Sequence, residues 1–566
     1  MAVHEREKAD LVLASHAIFT GIYDQVRAGA VAITGNRITA IGSMGEIKPY
    51  IGHETRVYDF GDQLIMPGFH DFHLHLLLGS LYHDCVNLLT ATSEEEAAQM
   101  VKQFADRRPE DPWVFGFSWY HVYWKNKQLP HRTTLDRLIP DRPVFLFNAE
   151  CHGAWLNTKA LELLNITRET EDPPFGHIQK DTHGEPTGFL YETAMGLARE
   201  AFQLPDQQKN RLLRGFMNQA ASLGITSIND FFPLPGLELG DLELYQSFEK
   251  AGELKARIHF LAALDGNLER PRFLRREYAS SKLRFSGLKQ FLDGVPTTYT
   301  ALLVDPYSDR PESRGDTLIP PETVKQWVVE ADQEAFRVRL HACGDGAVRL
   351  GLDCFEAARK QNGVRDSRHT IEHIEVIHPD DINRFAELEV IASMQPEHMA
   401  AAQTFADNCY PNRFGKERDP YTWPIKTLLN NGVSLAFGSD YPIVPLDPMT
   451  EIYRAVTRLH DDHQPTGGWN PQEKITMAEA LRAYTQGPAY GVFREHELGT
   501  LAPNMLADVI VLDRNLFMVT SDQIRETKVV LTIMDGQVVY DRDTSENKDD
   551  FSLLRNASHL ASMRLE

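Results

Sequence analysis

His73-Leu74-His75, inside the apolar segment PGFHDFHLHLL, is the densest chemical signal in the sequence. Side chains two apart on an extended strand emerge on one face, so the two imidazoles can reach a single metal ion. An H-x-H triplet is common by chance, and its weight comes from what the chain repeats elsewhere. His341 ends the run FRVRLHAC, His373 lies in RHTIEHIEV, and Asp440 closes VSLAFGSD. Imidazole and carboxylate are donors suited to zinc and other borderline divalent ions. Lys289, in RFSGLKQFLD, is a fifth element with two readings. It is either a snorkelling residue paired with Asp293, or an amine whose desolvation lowers its pKa. A neutral amine can add CO2 to form a carbamate, an oxygen anion able to bridge two cations. His70, three residues before His73, is expected to be structural.

Such residues need a scaffold that gathers strand ends. Eight apolar runs read as buried strands: 64–75, 224–230, 256–263, 284–293, 336–343, 368–376, 390–395 and 433–440. Helix-length stretches such as 321–335 and 379–388 separate them. Strands alternating with helices give a parallel sheet, and eight such units fit a (β/α)8 TIM barrel, whose active sites form at the C-terminal strand ends. The gap 76–223 is too long for one connection and must hold an inserted subdomain. It carries a strand (144–148), helices (93–107 and 207–223) and turn-rich stretches (173–176 and 181–188), and its position makes it a lid and substrate wall. The aromatic run 115–124 (FGFSWYHVYW) falls within it. Most of these rings should pack, while some, Trp119 among them, are expected to wall an apolar pocket for a substrate with a hydrophobic or aromatic group. Both chain ends are β-rich, with hairpins around Gly35-Asn36 and Asp535-Gly536.

Composition narrows the partners. The 566 residues hold 58 Lys+Arg against 80 Asp+Glu, a net charge of −22. That balance argues against nucleic acid or an anionic membrane as the main partner. The apolar fraction of 42% and charged fraction of 24% are those of a globular protein and exclude wholesale disorder. The start, MAVHEREKAD, lacks the hydrophobic stretch of a secretory signal, and no apolar run reaches spanning length. Five scattered cysteines without a C-x-x-C argue against a disulfide framework. A cytoplasmic protein with a small-molecule substrate is expected. No G-x-S-x-G elbow, H-E-x-x-H helix or P-C-x-x-C motif occurs, so serine-nucleophile, zincin and nucleobase-deaminase chemistries lack their motifs.

The segments LIMPGFHDFHLH, ECHGAWLNTKAL, GEPTGFLYETA, GLKQFLDG, LHACGDGAV, RHTIEHIEVI, SMQPEHM, FGSDYPIVPLDPM, ALRAYTQGPAYGVF and LGTLAPNMLADVIVLD follow one another along nearly the whole chain. On these the chain resembles the amidohydrolase superfamily of binuclear type, and within it the amidohydrolase family 3 group that includes N-substituted formamide deformylases. The resemblance implies a TIM barrel over 66–494 with the insertion at 80–220, a small β-sandwich from 1–65 and 495–545, and a tail at 546–566. It implies two divalent ions, zinc first, with iron, manganese or nickel as alternatives. His73, His75 and Asp440 would hold one ion, His341 and His373 the other, and N6-carboxylated Lys289 would bridge them. A metal-activated hydroxide would attack an amide, N-acyl or N-formyl carbon, with Asp440 as general base and then acid. His152 would touch the substrate carbonyl or serve a surface or structural role; Gln395 and Glu192 match family positions, with a supporting or structural role for each and a substrate contact as the other reading of Gln395. Cys343 is read as a small buried hydrophobe. Esterase, ring-deaminase or decarboxylase chemistry on the same fold stays open, as does a non-catalytic barrel, although all six ligand positions are present. A homodimer is expected by analogy.

Overall fold

The structure, a computed structural model, describes residues 8–545 apart from 122–123, 150, 152, 174–175, 232–241, 401 and 403. His152 and the tail therefore lie outside the described residues.

Eight strands pair side by side and in parallel in chain order. They are Phe69–Leu74, Ile225–Asp230, Arg257–Ala263, Leu283–Phe291, Val338–Ala342, Thr370–His373, Ile391–Met394 and Leu435–Phe437. This is the expected barrel. The run of buried positions along each strand, with helices packed outside, explains why they read as continuous apolar segments rather than alternating ones. The circle closes between the eighth and first strands just past their ends. Leu74 bridges to Tyr441 in parallel, and the Asp440 N–H donates to the His73 carbonyl at 2.6 Å. Gly438 permits that approach: a Cβ there would stand 2.3 Å from the His73 nitrogen.

Register decides which residues share the rim. Phe291 stands opposite His341, Ala342 opposite His373, and Met394 opposite Phe437. Strand parity then aims Glu372 and Ser393 at the lumen, where both meet Arg339.

One expected strand divides. The run 64–75 contains Leu64–Pro67, which pairs antiparallel with Val509–Leu512 in a second sheet, and Phe69–Leu74, which opens the barrel. Both pieces are fully buried, so hydrophobicity does not mark the boundary. Gly68 does, since a Cβ there would lie 2.2 Å from the Thr226 hydroxyl. The second sheet has eight strands and draws them from both ends of the chain, including the hairpins expected at 35–36 and 535–536.

Residues 86–192 of the insertion form a six-stranded sheet. Its turn-rich stretch resolves into an antiparallel hairpin, Gly176–Lys180 with Pro186–Glu192, around a turn at Asp181. The expected role of Trp119 as a pocket wall is corrected. Phe115 and Phe117 face the main core with Phe145 and Phe147, but Ser118 takes a left-handed φ of 69° and the register shifts. Trp119 is thereby turned into the insertion's own core against Trp124, Trp155 and Phe189, fully buried, with its indole N–H donated to the Leu146 carbonyl at 2.8 Å.

A buried ion pair ties the barrel to the terminal sheet. Arg257, on the third barrel strand, is fully buried and donates Nε and Nη2 to the two Asp508 oxygens at 2.7 and 2.9 Å, and Nη2 also to Asp535 at 3.0 Å. A buried charge left without any partner costs about 3–5 kcal/mol; without Asp508 the buried guanidinium keeps Asp535, so a part of that is lost. Asp508→Ala should therefore lower the thermal unfolding midpoint measured by calorimetry, and by more than replacement of an exposed aspartate such as Asp62.

Candidate metal centre

The six expected ligand positions converge on the C-terminal rim. His73 is the last residue but one of the first strand and His75 follows it, and the Nε2 atoms of both stand 3.3 and 3.2 Å from Asp440 Oδ1. Donors held at about 2.0–2.2 Å by a tetrahedral ion are roughly 3.4 Å apart, so this spacing suits ligands of one cation. His373 Nδ1 lies 4.0 Å from Asp440 Oδ2. Donor atoms of His73, His373 and Asp440 fall within 4.8 Å of one another. The His341 ring centroid is 4.4 Å from that of His373.

Hydrogen bonds set the tautomers. His75 Nδ1 lies 3.1 Å from the Phe231 carbonyl and His341 Nε2 lies 3.1 Å from the Gly294 carbonyl. A carbonyl only accepts, so each of these nitrogens carries the proton and the other keeps its lone pair. His73 Nδ1 donates to Glu372 Oε2 at 2.8 Å, which leaves its Nε2 lone pair toward Asp440. Glu372 is in turn gripped by Arg339, Nε to Oε1 at 2.5 Å and Nη2 to Oε2 at 3.1 Å, with both side chains fully buried. Burial alone would raise the Glu372 pKa, but Arg339 and then His73 hold it well below the usual range. A carboxylate behind a ligating imidazole is the arrangement that orients metal ligands.

Electrostatics keep the donors available. Burial pushes the His73 and His373 pKa values down, and that of His341 down to about 3, so the imidazoles are neutral near pH 7. Burial would raise the Asp440 pKa, yet His73, His75 and His373 hold it well below a normal carboxylate. Lys289 is buried, and desolvation brings its amine down to about 8. Its Nζ sits over the Phe231 and Phe291 rings, at 4.4 and 5.0 Å from their centroids. Asp293 does not pair with it: the Asp293 oxygens accept the backbone N–H groups of Leu302, Cys343 and Gly344. The donor set fits a divalent metal centre on one further count. Lys289 Nζ, His373 Nδ1 and Asp440 Oδ1 are buried without a hydrogen-bond partner among the described residues, a costly state unless a ligand satisfies them. His373 and Asp440 also hold left-handed φ values of 73° and 57°, backbone strain of the kind found at functional sites.

Other expectations fall as follows. His70 is structural, its Nε2 2.8 Å from Asn229 Oδ1 and its ring stacked on His259. Cys343 is buried, and burial lifts its thiol well above the usual range, as for an inert small residue. All five cysteines are free. Gln395 follows the seventh strand, two residues beyond Ser393, and is buried with neither amide atom bonded among the described residues.

Phe231, His398, Glu375, Glu372 and Arg339 were not singled out from the sequence. Phe231 stacks on His73 with centroids 3.8 Å apart. His398, in SMQPEHM, places Nε2 3.6 Å from Asp440 Oδ2 and Nδ1 3.6 Å from Glu375 Oε1. Burial would lower its pKa, but the Glu375 and Asp440 carboxylates lift it. The three-residue spacing of Gln395 and His398 past a strand end was the available signal.

Similarity to known proteins agrees with this geometry. The model of the amidohydrolase family matches residues 56–540. Protein LONG AFTER FAR-RED 3 of Arabidopsis thaliana is 31% identical over 545 residues, covering 94% of this chain and 92% of its own. N-substituted formamide deformylase of Arthrobacter pascens is 27% identical over 537 residues, covering 92% and 96%. Among solved structures, an uncharacterized metal-dependent hydrolase from Pyrococcus horikoshii OT3 aligns with a TM-score of 0.76 and 26% identity, over 90% of this chain and 99% of that one. Barrel, rim donors and full-length similarity together place the chain in the amidohydrolase family of metal-dependent hydrolases.

Proposed function

We propose that this protein hydrolyses a carbon–nitrogen bond, of an amide, N-acyl or N-formyl compound, at a centre of two divalent ions. His73, His75 and Asp440 would hold one ion and His341 and His373 the other, with Lys289 as an N6-carboxylated bridge. Bound metal supplies a low-pKa water and polarises a carbonyl. The chain's own residues do the rest. Asp440 keeps one oxygen on the His73–His75 side and turns the other, Oδ2, toward His373 and His398. Oδ2 accepts the proton of the attacking water and returns it to the leaving nitrogen, so one group serves as base and then acid. Glu372 and Arg339 hold the His73 ring in its tautomer. The low pKa of Lys289, with its amine against two aromatic faces, favours the neutral form that carboxylation requires.

The observation that carries this reading is the shared lack of partners on Lys289 Nζ, His373 Nδ1 and Asp440 Oδ1 at one rim. Elemental analysis of purified protein, beside assays on N-formyl amines, N-acyl amino acids and aryl esters, tests it. Two metal equivalents with turnover of the C–N substrates are expected; well below one equivalent with no turnover sinks the proposal.

Three variants follow. Lys289→Ala should abolish turnover, with partial rescue by added short carboxylates that replace the bridging oxygens; full activity without rescue removes the bridge. Asp440→Asn should retain metal but lose most of kcat, since the amide cannot take a proton. Glu372→Gln should weaken metal affinity by roughly 10–100-fold, read by competition with a chromogenic chelator.

A further inference from the structure

Four more unpartnered polar atoms belong to residues that follow the sixth and seventh strands, and metal ligation does not account for them. Gln395 Oε1 and Nε2, Glu375 Oε2 and His398 Nε2 lack hydrogen bonds among the described residues. Gln395 and Glu375 are 1% and 2% exposed, so water in bulk does not satisfy them. A buried, unsatisfied polar atom costs about 1–3 kcal/mol; several together at one rim indicate that a ligand completes them.

Their placement is set by the strands. The sixth strand ends at His373 and Glu375 lies two residues beyond it, and Gln395 and His398 follow the seventh. Ser393 faces the lumen, where Arg339 Nη2 reaches it at 3.4 Å. The period of two then carries Gln395 to the same side, one level nearer the rim. His398 links this group to the reacting carboxylate, 3.6 Å from Asp440 Oδ2 on one side and 3.6 Å from Glu375 Oε1 on the other. Asp440 Oδ2, the oxygen that returns the proton, thus faces the sixth and seventh strands.

We infer that Gln395 and Glu375, with His398 between Glu375 and Asp440, form a leaving-group subsite that reads an N–H on the scissile nitrogen. The enzyme then acts on secondary or primary amides and discriminates against esters and N,N-disubstituted amides. The inference rests on the C–N hydrolase reading above. The Gln395 amide offers one acceptor and one donor whichever way round it lies; its oxygen accepts the amide N–H. When the C–N bond breaks, a C–O bond has formed from water, one water proton passes through Asp440 Oδ2 to nitrogen, and the carboxylic acid and amine separate. The amine gains N–H donors at that moment and meets the free Glu375 oxygen. A substrate without the N–H leaves these acceptors unpaired, which is how a polar site rejects a close analogue.

The test uses metal-loaded full-length protein and a matched trio: N-benzylformamide, N-benzyl-N-methylformamide and benzyl formate. Gln395→Met should lower kcat/KM for the secondary amide at least tenfold more than for the ester or the N-methyl amide. Calorimetric titration of benzylammonium and benzyl alcohol supplies a readout independent of turnover. The ammonium should bind, the alcohol should bind at least tenfold more weakly, and Glu375→Gln should remove most of the difference. Metal content and circular dichroism melts confirm that each variant is folded and loaded, and Gln395→Glu replaces any variant that is not. An unchanged amide-to-ester ratio in the Gln395 variant, or equal binding of ammonium and alcohol by the wild type, overturns the subsite. Absence of turnover on the trio and on the amides tested above, with well below one metal equivalent, overturns the hydrolase reading and the subsite with it; amide turnover with benzylammonium binding that Glu375→Gln leaves unchanged overturns the subsite alone.

Discussion

Asp440 is where closure of the barrel and chemistry meet. Its N–H donates to the His73 carbonyl, which brings the eighth strand onto the first. Its carboxylate then stands among His73, His75, His373 and His398. One residue, held in a left-handed conformation, therefore takes part both in closing the barrel and in spacing the donors. Gly438 is part of the same constraint, because any side chain there would push the two strands apart.

Beneath that rim the lumen is unusually charged for a barrel interior. Arg339 and Glu372 are fully buried and paired: the guanidinium also reaches the Phe72 carbonyl at 2.8 Å and lies over the Phe72 ring, while its Nη1 has no hydrogen-bond partner among the described residues. A buried ion pair rarely stabilises a fold more than packed hydrocarbon would. Its retention under His73 fits a role in orienting that imidazole. Phe231 extends the support, with its ring on His73, its carbonyl on His75 and its π-face toward Lys289 and Arg339. The insertion and terminal sheet contribute differently. The terminal sheet is tied to the barrel's third strand through Arg257 and Asp508, whereas the insertion keeps a separate aromatic core around Trp119.

Much of this was legible in one dimension. Eight buried strands announce themselves as apolar runs, and His73, His75, His341, His373 and Asp440 each sit near the end of one. Since parallel barrel strands all present their C-terminal ends on one face, residues at strand ends become neighbours whatever their separation in sequence. Lys289 stood out as a cation in an apolar strand, and burial is the property that matters for it. The errors have equally local causes. A continuous run of buried residues concealed the passage from one sheet to the other at Gly68, and a single left-handed serine reversed the side on which Trp119 packs.

Strand content, the βα order and the ligand types were thus determined by the sequence itself, because hydrophobic period and donor chemistry are properties of neighbouring residues. Tertiary structure alone decided that Glu372 and Arg339 stand behind His73, that Phe231 covers Lys289, and that His398 stands between Glu375 and Asp440. Those contacts join different strands, often hundreds of residues apart. They depend on register and on a few left-handed backbone positions, which no local pattern encodes.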